Sequence, residues 1–274
     1  MKQGLFWMFL IALALPGSFG IAEEKQAQTQ TAPAITGPVA DEPKLELEPK
    51  AMEIIKAACD KLASARTLSF TAVGAYEQPS LLAGLPLIYT TKSEILLQRP
   101  DKIRVITTAD GPATEFYYDG KTMTAFSPAE NLVATADAPP TIDSALEEAY
   151  RIAGIYYTFT DLVVGDPYKD VSEGLMVAFY IGQSRVIGGI TTDMVAYGND
   201  KVFLQAWVGA EDRLPRMLRA VYRDDPSRLR HALELTNWKI NPAVPEGSFA
   251  SAKAKDAKRI SFAPPEPQEE RKKQ

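Results

Sequence analysis

Between residues 46 and 263 the apolar positions recur at two different periods, and the switches between them predict the elements. In 49–62, Met52, Ile55, Cys59 and Leu62 form one stripe at helical spacing. Pro49 suits a first turn, and Glu48 and Glu53 favour the positive end of the helix. After Thr67 the period becomes two, with Leu68, Phe70 and Ala72 facing one way, followed by a long strand-like run over 87–98 and a third strand through Ile103, Val105 and Thr107. Residues 116–126 read as a hairpin around Asp119-Gly120, the two-residue pair that fits the twist of paired strands. Helical spacing returns over 141–154, where Ile142, Ala145, Leu146, Ala149, Ile152 and Ala153 share a face, Thr141 is placed to cap and Gly154 to terminate.

A short apolar piece over 156–164 follows, and period-two segments resume at 175–183, 190–197, 202–208, 217–222 and 229–240, separated by Gly, Asn and Asp-Pro turns. The sum is about ten strands and two or three helices. Strands joined by short turns pair antiparallel, so the fold class is mainly β with a few helices: one large twisted antiparallel sheet with helices against a face. Several strands carry large apolar residues on both sides. Leu204 and Ala206 alternate with Phe203 and Trp207, and Phe179 and Ile181 alternate with Tyr180. Either helices cover both faces or one face lines an apolar cavity, and the shortage of helices favours the cavity over ordinary core with exposed aromatics.

The ends differ in character. Lys2, an apolar core over 5–15 broken by Pro16-Gly17, and Gly20-Ile21-Ala22 make residues 1–22 an expected cleaved signal peptide, its apolar run well short of the roughly 18 residues that span a bilayer. No cysteine follows that core, so no lipid attachment site is expected, and no stable membrane span after cleavage. Residues 23–45 and 264–274 are rich in Gln, Pro, Ala and charge, and are expected as a disordered linker and tail around a single domain over 46–263.

Of 274 residues 46% are apolar, enough for a sizeable core, and the single cysteine, Cys59, excludes an intramolecular disulfide. A formal charge of −5 without a basic stripe argues against nucleic acid. Arg213, Arg216, Arg219 and Arg223 lie beside Glu211, Asp212, Asp224 and Asp225 and read as a self-neutralising surface. His231, the one histidine, sits between Leu229 and Leu233 and is expected to be packed and hydrogen-bonded. With one His and one Cys, a zinc site is not expected, nor any cofactor. There is no nucleophile elbow, phosphate loop or dinucleotide fingerprint. Asp161, Asp166, Asp193 and Asp200 offer carboxylates, but their spacing singles out no acid–base pair.

Residues 98–104 (QRPDKIR), 118–122 (YDGKT), 180–182 (YIG), 205–208 (QAWV), 214–216 (LPR), Asn237-Trp238 and 258–262 (KRISF) together resemble an uncharacterised family of predicted periplasmic proteins of Gram-negative bacteria, classed as a domain of unknown function. The resemblance covers about 50–262. A histidine of that family is replaced here by Met194, after Thr192-Asp193, so no role for it transfers. The family is similar to the lipoprotein carrier fold, an incomplete, half β-barrel that holds acyl chains on its concave face under a helical lid. The resemblance implies a periplasmic, non-enzymatic protein that binds a lipid or acyl chain. No binding residue transfers from the carriers, whose acyl-binding positions are simply apolar; the two-sided apolar strands and the apolar face of the insertion make the expected ligand-binding residues some of Phe70, Tyr89, Leu97, Phe179, Leu204 and Trp207, with Leu146, Ala149 and Ile152 on the lid. The first rival is an envelope sensor or scaffold binding a protein partner. A remote one is a carboxylate-dependent hydrolase using Asp161 or Asp193.

Overall fold

The structure is a computed structural model that describes residues 45–82 and 85–264. The expected signal peptide, nearly all of the linker and the tail from 265 lie outside the described residues. The described residues belong to one compact unit.

The first helix, α1 (Pro49–Ala63), starts with Pro in its first turn and buries Ala51, Ile54, Ile55, Ala58, Cys59 and Leu62. Twelve strands form one sheet: β1 (Thr67–Gln78), β2 (Leu87–Gln98), β3 (Lys102–Ala109), β4 (Thr114–Tyr118), β5 (Thr122–Ser127), β6 (Leu132–Asp137), β7 (Val177–Ser184), β8 (Thr192–Gly198), β9 (Val202–Gly209), β10 (Pro215–Tyr222), β11 (Arg230–Ile240) and β12 (Lys258–Ile260). Their spatial order is β12-β6-β5-β4-β3-β2-β1-β11-β10-β9-β8-β7. Every pairing is antiparallel except β12 on β6, and the sheet does not close. Between β6 and β7 the chain makes α2 (Ile142–Ala153), α3 (Thr160–Val163) and α4 (Pro167–Ser172). The two strands beyond the expected ten are β6 and β12. The first is built largely of small and polar residues, and the second is three exposed residues that have strand form only beside β6.

The hairpin is where expected but its turn lies one residue further along. Tyr118 pairs with Met123, and Asp119 N donates to the Thr122 carbonyl at 3.3 Å. Positive φ occurs at Gly120 (99°) and not at Asp119, so the tight pair is Gly120-Lys121. Asp119 stabilises the turn differently: its Oδ1 accepts from Lys121 N and Thr122 N, each at 2.9 Å. The expected caps of α2 are present. Thr141 Oγ1 accepts from Ser144 N at 3.2 Å, and Gly154 ends the helix at φ 67°.

Strand register sorts the side chains onto two faces. Leu68, Phe70 and Ala72 lie opposite Leu97, Ile95 and Ser93, and on the other side Ala72 and Gly74 oppose Leu235 and Leu233. This is the helix-covered face. Its larger apolar cluster unites those residues with Ile103, Val105, Phe116, Tyr118 and Met123, under Leu146 and Ala149 of α2. A second cluster on the same face joins α1 to Ala178, Val195, Tyr197, Ala206 and Val208. At Asn237 (φ 57°) β11 bulges, which brings Trp238 onto Phe70 with ring centroids 4.4 Å apart. The opposite face is partly covered near β5 and β6, where Ala254 and Ala257 pack on Phe126 and Val133.

Candidate ligand-binding face

Four of the six expected ligand-binding residues lie on the helix side of the sheet and two do not. Phe70 and Leu97 are buried in the larger cluster together with Leu146 and Ala149, and Ile152 packs half-buried against it. Leu204 borders the second cluster, and Tyr89 stands 40% exposed on the same face. Phe179 and Trp207 point the other way because each alternates with a helix-facing neighbour, Tyr180 and Ala206. Phe179 is exposed against Phe203, with centroids 6.4 Å apart, while Trp207 is covered by its neighbours, with the Arg219 guanidinium 5.5 Å from its ring. The six therefore cannot line one cavity.

Further along β1 and β11, past the Gly74–Leu233 pair, the helix side carries a row of rings that the sequence reading passed over. Tyr89 on β2 lies opposite Tyr76 on β1, their rings 6.0 Å apart, and Tyr76 lies opposite His231 on β11. His231 Nδ1 meets Tyr222 Oη at 3.1 Å, so the row continues onto β10. Above it, the connector between α2 and α3 brings in Tyr156, which shares a side-chain hydrogen bond with Tyr222 and lies 6.3 Å from the Tyr150 ring. The signal for Tyr76 and Tyr222 was available, since each continues the period-two line of Phe70 and Ala72 or of Leu218 and Ala220. The connector follows no period, so Tyr156 carried no such signal.

Titration follows from this placement. Burial raises the phenol pKa of Tyr156 and, more modestly, pushes Tyr222 up to about 12. Burial lowers that of His231, which favours the neutral imidazole. The Asp161 carboxyl, at the start of α3, is pushed up to about 6 by burial and then by repulsion from Asp170. Asp161 and Tyr156 are nonetheless exposed side chains, Tyr156 to 48%, so each lies against protein on one side and meets solvent on the other.

Asp193 is a different case. It is buried, and its oxygens accept from Tyr180 Oη (3.3 Å), Gln183 Nε2 (3.0 Å) and Arg213 Nη1 (3.0 Å), the work of a packed structural carboxylate. Cys59 lies on the buried face of α1, and desolvation pushes its thiol up to about 12, far from thiolate chemistry near neutral pH. Arg99, which sequence reasoning did not single out, donates from Nη1 to the Val163 carbonyl of α3 at 2.8 Å, while its Nε and Nη2 are buried without a partner. It borders an open groove of about 370 Å³ with Arg66, Gln98 and Asn241. Among the described residues no three acidic, His or Cys side chains are grouped to hold a metal ion. No described helix is long and apolar enough to cross a membrane.

A family model described as "Predicted periplasmic protein (DUF2092)" matches residues 51–263. The chain belongs to this family. No curated protein matches it by sequence. Among solved structures, MucB superposes with a TM-score of 0.44 at 14% identity, covering 75% of this chain and 64% of MucB. The lipoprotein LppX of Mycobacterium tuberculosis gives 0.45 at 13% identity over 72% of this chain and 98% of its own. LprF of Mycobacterium bovis gives 0.43 at 16%, over 74% and 99%. This chain thus spans about two thirds of MucB but nearly the whole of the two mycobacterial proteins.

Proposed function

We propose that this protein is a non-catalytic periplasmic binding protein that holds an apolar ligand, a lipid or acyl chain, between the sheet and the helical insertion. The observation that carries the reading is the row of Tyr89, Tyr76, His231 and Tyr222 on the helix side of the sheet, beside the apolar clusters and under Tyr156 of the connector, in which each ring keeps exposed surface. Apolar transfer supplies the affinity, at about 0.8 kcal/mol per buried methylene, and needs no reactive group. The insertion is the lid: its apolar face, Leu146, Ala149 and Ile152, rests on the sheet and competes with ligand for the same surface. Mass spectrometry of organic extracts from the natively purified protein tests this. A co-purifying lipid or acyl compound in near-stoichiometric amount is expected. Extracts without one, from protein that also takes up no apolar probe, overturn the reading.

A second reading has its own observation. On the opposite face Phe179, Ile181 and Phe203 are exposed together at the β7 edge of the sheet, an apolar patch suited to a protein partner. Co-purification of a polypeptide, lost on Phe179→Ser, would favour the envelope sensor or scaffold.

A further inference from the structure

We infer that the ring row beneath the α2–α3 connector is a headgroup site, and that the ligand it takes is an amphiphile with an uncharged, hydroxylated head, of the glycolipid kind. The inference rests on the binding reading above and adds the polar end of the ligand to it.

The face that would hold an acyl chain has no need of polar atoms, and over most of its area it has few. The apolar clusters are built mainly from Leu, Ile, Val, Phe and Ala; their Tyr118 and Tyr197 are buried, Tyr118 with its hydroxyl donating to the Pro139 carbonyl at 2.6 Å, and the polar pair Ser93 and Thr107 satisfy each other at 2.8 Å. The ring row differs in keeping exposed surface. Tyr89, Tyr76 and His231 lie in register across β2, β1 and β11, Tyr222 on β10 stands diagonal to His231, and each keeps some exposed surface. Tyr156 reaches them from above, and Asp161 lies close enough to destabilise the phenolates of both Tyr156 and Tyr222.

Phenols and an imidazole present both donors and acceptors without net charge, and ring faces present apolar area. A sugar has that same pairing, with hydroxyls at its edges and C–H groups on its faces. The charge of the row points the same way: its phenols and imidazole supply no cation to pair with a phosphate or carboxylate head. The insertion beside it carries Asp161 and Asp170, with Asp143, Asp166 and Glu173 near Asp170, while its cations are engaged elsewhere, Lys169 beside Asp170 and Arg99 on the Val163 carbonyl. An anionic head brought to Asp161 meets like charge. Hydroxyls meet acceptors.

Displacement of the neutral fluorophore N-phenyl-1-naphthylamine from the purified protein at pH 8 tests the site. Two ligands with the same chain are compared below their micelle-forming concentrations: dodecyl maltoside and dodecanoate. The maltoside is expected to displace the probe at about tenfold lower concentration, the effect of one or two net hydrogen bonds. Tyr222→Phe and Tyr156→Phe, which keep the rings, should each weaken the maltoside and leave dodecanoate unchanged. Asp161→Asn should strengthen dodecanoate alone. Equal displacement by the two amphiphiles, or a preference for dodecanoate, overturns the headgroup site while leaving the binding reading intact, as does a Tyr156→Phe protein that folds and keeps the full preference. Absence of probe uptake altogether overturns both.

Discussion

Gly120 shows how much of a local structure can rest on one missing side chain. Its φ of 99° is strained for any other residue, and a Cβ there would come within 2.7 Å of Asp101 Oδ2. Gly120→Ala is expected to destabilise the protein by about 1–3 kcal/mol in urea unfolding at constant slope. Asp119→Pro should also destabilise it, though through lost hydrogen bonds and not through forbidden φ. Asp161 gives a prediction of opposite sign. Its folded pKa of about 6 lies above the ordinary 3.8, so the folded state binds the proton more tightly and stability falls as pH rises from about 4 to 6. Asp161→Asn removes that slope. With its solvent access discounted, the variant should gain about 1 kcal/mol at pH 7 and little at pH 4, which denaturation at the two pH values would measure. Neither result was legible beforehand. The DG pair announced a hairpin, but which residue takes positive φ depends on the register with β5, and the Asp161 shift depends on desolvation by the surrounding fold and then on Asp170, both set by the packing of the short helices.

Elements were legible in proportion to how local their causes are. The insertion helix α2 was readable end to end, since cap, stop and apolar face lie within its own fourteen residues, 141–154, and α1 likewise. β6 and β12 were not, because their strand form comes from neighbours and not from alternation. The binding face fell between these limits. Alternation correctly marked which residues oppose each other along one strand, but comparing strands requires register, and that is why Phe179 and Trp207 were grouped with residues of the other face. The lid reading makes its prediction on α2. Ile152 is only half-buried at the rim of the cluster, so a charge there loosens the helix without emptying the core. Ile152→Glu is expected to raise N-phenyl-1-naphthylamine fluorescence at least about twofold with the far-ultraviolet circular dichroism of the sheet unchanged. A folded variant with unaltered uptake would make α2 ordinary core.

An open sheet of twelve strands has two outer edges, and the chain handles both with segments from the ends of the same unit. At one edge Glu46–Glu48 runs along β7: Ala178 N donates to the Glu46 carbonyl at 3.1 Å, Glu48 N to the Ala178 carbonyl at 2.8 Å, and Tyr180 N to Glu48 Oε2 at 2.7 Å. At the other, β12 lies parallel on β6 over Leu132, Val133 and Ala134, and the turn before it seats Ala254 and Ala257 on Phe126 and Val133. Unpaired strand edges template association with other chains, so these short segments do more than their few hydrogen bonds suggest. With one cysteine in the chain, no disulfide ties either segment down, and each is held by pairing and packing alone. Deleting residues 258–274 should therefore bare the edge of β6, and it also takes Phe262 from the rim of the larger helix-covered cluster. The truncated protein is expected to lose about 1–3 kcal/mol, a few degrees in Tm, and to form dimers and larger species whose share rises with concentration in sedimentation velocity. Restoring 258–262 alone, the KRISF segment that includes β12, should return it to the behaviour of the full chain. A truncated protein that sediments as a single species over the concentrations tested, with unchanged Tm, would show that β12 does not guard the edge and that β6 is blunt by its own composition.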